Sequence, residues 1–92
     1  MQEKVEHNDK FMKILGEIIK SHRKKLNKSI YAISAESSIS KSTWREIELG
    51  LCKDIKIKSL WKVAEGLNVP ANIIVEELTQ KLGSDFTLSD FD

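Results

Sequence analysis

Between Ser29 and Gly50 the chain has room for two short helices and almost nothing else. Ser29 and Ser40 are residue types whose hydroxyls accept hydrogen bonds from the free N–H groups at a helix start, so each reads as an N-cap. The first segment, about 30–37, turns Ile30, Ile33 and Ser34 inward. The second, about 40–49, turns Trp44 and Ile47 inward and stops at Gly50. Only Ser37, Ser38 and Ile39 connect them. Helices joined this tightly cross steeply, with the small Ser34 allowing close approach and Ile39 plugging the corner. The second helix then stands clear of the body and presents Ser40, Lys41, Ser42 and Arg45. That is the layout of a helix-turn-helix.

The rest of the chain is read as helix too. From Phe11 the side chains of Leu15, Ile18, Ile19, His22 and Leu26 follow a helical period, with Asn8 or Asp9 as the cap and Asn27 as the stop. Residues 51–56 form a lysine-bearing loop. A fourth helix, about 57–66, places Leu60, Trp61, Ala64 and Leu67 on one side. Pro70 opens a fifth, with Ile74, Leu78 and Leu82 inward and Gly83 at its end. Strand alternation and hairpin turns are lacking. The expectation is an all-α, compact five-helix bundle over residues 11–83, preceded by a flexible segment 1–10 and followed by a loose acidic tail, 84–92.

Composition narrows the class. At 40% apolar and 32% charged, the 92-residue chain suits one ordered, soluble domain. No apolar run approaches the roughly 20 residues of a membrane span, and the polar N-terminus is no signal peptide, so a cytoplasmic protein is expected. The lone Cys52 has no intrachain partner, and with His7 and His22 it makes no zinc site. No nucleophile triad, glycine-rich phosphate loop or cofactor motif appears, so neither an enzyme nor a cofactor is expected. The near-neutral total hides an asymmetry: residues 1–62 carry 14 Lys and Arg against 8 Asp and Glu, whereas residues 63–92 carry 1 against 6. A basic body with an acidic end fits a protein that turns one surface to phosphates.

From Leu15 to about Leu78 the sequence resembles the Cro/lambda-repressor-like helix-turn-helix family. The resemblance rests on Leu15 and Gly16 with Ile19 and Arg23, on Ser29, and on the run from Ile39 to Thr43. It continues through Ile47, Glu48, Leu49 and Gly50 to Val63, Ala64, Leu67, Asn68 and Val69. It implies a structural ion pair of Arg23 with Glu48, locking the first helix to the recognition helix. It also implies double-stranded DNA as partner, with Lys41 and Ser42 at base edges in a major groove about 12 Å wide. Ser40 is the N-cap whose neighbouring N–H groups offer a phosphate site, and Arg45, Lys53 and Lys56 are expected on the backbone. The sequence departs from the family pattern at Ile30, where a glutamine is usual, at Ser38, where the turn glycine is usual, and at Glu46, where a basic or amide residue is common. The function expected is a transcriptional regulator, a repressor acting as a homodimer on an operator. Apolar residues of helix five, Ile73, Val75, Leu78 and Leu82, with the tail, are the expected contact between copies. The rival is a protein-interaction module, or an antitoxin-like partner protein binding a toxin through its tail, that keeps the bundle with weak or no DNA binding.

Overall fold

Few residues between Gln2 and Lys25 oppose a helix, and the chain uses that freedom fully. The computed structural model describes residues 2–89, with side chains from Asn8 onward, and Asp90, Phe91 and Asp92 of the acidic tail lie outside the described residues. Its elements are α1 (Gln2–Lys25), α2 (Ile30–Ser37), α3 (Lys41–Glu48), α4 (Ile57–Leu67) and α5 (Ala71–Leu82). No strand occurs among the described residues. α1 starts at Gln2 and not at a cap near Asn8 or Asp9, so residues 2–10, expected as a flexible lead-in, are its first turns. Glu and Lys are strong helix formers, and in mid-helix Asn8 and Asp9 cost only a few tenths of a kcal/mol each, roughly. Asn8 instead donates to the Lys53 carbonyl at 3.3 Å, tying α1 to the loop before α4.

Three helices end in the same way. Asn27, Gly50 and Asn68 are left-handed, at φ 57°, 72° and 62°. Each donates to the carbonyl three residues back, and the residue after it donates to the carbonyl five residues back from itself. Ser38, in the turn between α2 and α3, is also left-handed, at φ 62° and ψ 29°. A side chain there costs more than glycine does. Ser38→Gly should therefore raise the unfolding free energy by about 0.5–1 kcal/mol, read as a higher urea midpoint at unchanged slope. A lower midpoint would mean that the Ser38 side chain contributes more than its backbone strain removes.

The core is one cluster to which every helix contributes. Met12, Leu15, Ile18 and Ile19 of α1 meet Ile33, Trp44 and Ile47, with Val63, Leu67, Ile74 and Leu78 closing the far side. Ile39 is buried in the corner of the α2–α3 turn. α1 lies against α3, α4 and α5, while α2 lies against α3 and α4. At the α1–α3 crossing stands Gly16, where an added Cβ would fall 2.4 Å from the Ile47 carbonyl oxygen. On α4, Leu60, Val63, Ala64 and Leu67 fill the inner stripe. Trp61, expected on that side, is displaced to the flank and stands 58% exposed.

Beyond α5 the chain turns back. Phe86 stacks on Phe11 at 6.2 Å between ring centroids, and the Lys10 ammonium lies 5.9 Å above the Phe86 ring. The first part of the tail, expected as loose, is therefore docked on α1. His22, half-buried, meets the Glu77 carboxylate at 3.1 Å and joins α1 to α5. No helix among the described residues is long and apolar enough to cross a membrane.

Candidate nucleic-acid interface

α3 is divided along its length. Trp44, Ile47 and Glu48 are buried, whereas Lys41, Ser42, Thr43, Arg45 and Glu46 are exposed. The helix opens where the chain leaves the turn in extended conformation at Ser40, whose hydroxyl oxygen accepts from the Thr43 N–H at 3.2 Å. The same hydroxyl donates to Thr43 Oγ1 at 2.9 Å. One serine thus starts the helix and holds the Thr43 side chain. The first turn is otherwise exposed at Lys41 and Ser42, and the partial positive charge of a helix start favours an anion there.

Lys41 does not extend freely. Its Nζ lies 5.0 Å from the centroid of Tyr31, on the first turn of α2. Tyr31 is 70% exposed, so a cation–π contact of this kind gives about 0.5–1 kcal/mol and mainly restricts where the ammonium sits. Sequence reasoning did not single out Tyr31. Its place one residue inside the α2 start was visible, but its approach to Lys41 depends on the crossing of two helices.

Behind this face sits the bond that sets the pose of α3. Arg23 donates from Nε to Glu48 Oε2 at 2.5 Å and from Nη2 to Oε1 at 2.9 Å. Its Nη1 donates to the Lys28 carbonyl at 2.8 Å. Trp44 Nε1 donates to Glu48 Oε2 at 2.7 Å. One carboxylate therefore gathers α1 and the core tryptophan, and the arginine also fastens the α1–α2 connection. The Arg23 side chain is 11% and the Glu48 side chain 5% exposed. Hydrogen bonding to Glu48 raises the Arg23 pKa above its usual value, against the opposing effect of burial.

The loop 51–56 returns along α3. Lys56 borders, with Thr43 and Ile47, a shallow depression between α3 and the start of α4. Lys53 is exposed on the same loop, held through its backbone by Asn8. The structure thus brings Lys56 beside α3 and leaves Lys53 nearer the α1 side. Cys52, half-buried in that depression, has its thiol pKa raised, first by burial and then by the Glu46 charge. A raised pKa keeps the thiol protonated to higher pH. Cys52 should therefore react with iodoacetamide several-fold more slowly in the folded chain than in urea at pH 8, roughly. Equal rates would contradict that environment.

Ile30, at the α2 start, is half-buried and packs on the core, which keeps it out of the exposed face. No family model and no curated protein matches the chain. Among solved structures, the crystal structure of the clp gene regulator ClgR from C. glutamicum is similar, with a TM-score of 0.72 at 17% sequence identity. The match covers 82% of this chain and 96% of that one. At this identity the likeness is one of fold, an all-α domain with a helix-turn-helix.

Proposed function

We propose that the chain is a sequence-specific double-stranded DNA-binding transcriptional regulator, a repressor working as a homodimer, with α3 in the major groove. The observation that carries this reading is the division of α3: a polar, cationic outer face on a helix whose inner face is locked by Arg23, Trp44 and Glu48. Lys41 and Ser42, in the first turn, are the side chains assigned to base edges, with Lys41 suited to guanine O6 and N7. Ser40 and its neighbouring backbone N–H groups, Arg45, Lys56 and Lys53 are assigned to phosphates. Likeness of fold to a gene regulator supports the same direction.

One exposed carboxylate on this helix, Glu46, favours the alternative of a protein-interaction or antitoxin-like module. The two readings part on a binding titration. Lys41→Ala should cost about 1–3 kcal/mol on the preferred duplex and relax preference at one base position. Arg45→Ala should weaken all duplexes alike and reduce the salt slope by about one for each phosphate it no longer neutralises. Variants that cannot be told apart would refute the groove assignment. Wild-type protein with neither preference nor salt slope would favour the interaction module.

A further inference from the structure

Tyr31 stands 70% exposed on the first turn of α2, although the residue before it, Ile30, packs on the core. An aromatic ring left in solvent adds little to the core. Nor does α2 depend on it. The α2 cap is made by Ser29, whose hydroxyl accepts from the Ala32 N–H at 3.1 Å. The Tyr31 carbonyl accepts from Ser34 Oγ at 2.9 Å, a bond that belongs to the backbone and not to the ring. The pose of α3 is set from within, by Arg23, Trp44 and Glu48. What the ring does meet is Lys41, the first residue of α3, whose Nζ lies 5.0 Å from the ring centroid.

Lysine by itself is a poor reader of bases. Its ammonium is a compact charge on a flexible four-carbon stem, and it serves a phosphate as readily as a base edge. Selectivity therefore depends on where the ammonium is held. A ring face carries partial negative charge, so an ammonium above it stays charged and keeps N–H donors free on the side away from the ring. The stem has then lost part of its freedom in the unbound protein, and less remains to be lost on docking. Lys41 is exposed, as are Ser42 and Thr43 beside it, so the contact leaves the start of α3 open to a groove.

We infer that Tyr31 is a positioning residue for Lys41: its ring fixes the ammonium for guanine O6 and N7 and sharpens the choice of base at one position. This rests on the proposed reading of DNA by α3 and adds a residue of α2 to it. The ring, and not the hydroxyl, carries the effect, and it acts only through Lys41.

Competition titrations followed by fluorescence anisotropy test this, with the full chain, a duplex selected from a random library and duplexes changed at one base pair each. At the position where Lys41→Ala loses preference, Tyr31→Leu should reduce the preference by about two- to fivefold, the range of an exposed cation–π contact. Preference elsewhere and the salt slope should stay as in wild type, since no phosphate contact is removed. Tyr31→Phe should behave as wild type, and Tyr31→Leu should change nothing further in a Lys41→Ala background. NMR of the protein without DNA gives a second readout. Ring current should displace the Lys41 ε-methylene protons upfield in wild type and Tyr31→Phe, but not in Tyr31→Leu. An equal loss at every position, a loss shared by Tyr31→Phe, an effect that persists without Lys41, or ε-protons at their ordinary shift would each overturn the inference. A wild type that selects a duplex while Tyr31→Leu leaves the selection intact refutes the role of Tyr31 alone. A wild type that selects none refutes the reading of DNA, and the role of Tyr31 with it.

Discussion

Arg23→Ala should lower the unfolding free energy by about 3–5 kcal/mol, the cost of leaving a buried carboxylate without its cation. The size follows from how much one guanidinium does. It neutralises Glu48 through two hydrogen bonds and closes the α1–α2 connection through the Lys28 carbonyl. Once it is gone, the Trp44 indole N–H remains on a carboxylate that water barely reaches. Arg23→Lys should recover only part of the loss, since a single ammonium cannot make the paired bond. Arg23→Met combined with Glu48→Gln should cost less than Arg23→Ala, because it removes the buried charge and keeps an acceptor for Trp44. Urea denaturation of these variants is the check. A midpoint that barely moves in Arg23→Ala would mean that the ion pair does not hold α1 to α3.

Gly16→Ala should destabilise by about 2–3 kcal/mol, although alanine is the better helix former by roughly 1 kcal/mol. The added methyl would stand 2.4 Å from the Ile47 carbonyl oxygen and 2.6 Å from that of Glu48. Both obstacles are backbone, so no rotamer change relieves them, and α1 must move away from α3. The displacement strikes the same crossing that Arg23 and Glu48 bridge. Its effect should therefore be less than additive with that of Arg23→Ala. A neutral or stabilising Gly16→Ala, measured by thermal and urea unfolding, would contradict the close crossing.

The elements that could be read from residues alone are those whose signals are local. Ser29 and Ser40 cap, Ile39 fills a corner, and Asn27 and Gly50 stop helices, all through interactions within a few residues. What escaped depends on distance. The start of α1 has no stop signal before it, since polar helix formers show no apolar period. On α4, Ile57 and Trp61 form a second apolar stripe beside Leu60, Val63, Ala64 and Leu67. Only packing on α2 and α5 decides which stripe goes inside. Phe86 reaching Phe11, and Tyr31 under Lys41, join segments that periodicity treats separately. Gly66 reads as a helix end, yet it lies within α4, where a Cβ would meet the Ser37 Cβ at 2.8 Å. Arg23 and Glu48 could be paired only through the family resemblance, because nothing local links them.

The most direct measurement is the affinity of the wild-type chain for duplexes selected from a random library and for scrambled controls, followed by fluorescence anisotropy from 50 to 200 mM salt, roughly the range over which phosphate binders lose affinity steeply. With Arg45, Lys53 and Lys56 of two copies on the backbone, log K should fall against log salt with a slope of about −5. The selected duplex should be preferred by about a thousandfold or more at every salt concentration. Equal, salt-independent affinity for both duplexes would contradict α3 as a reader of DNA.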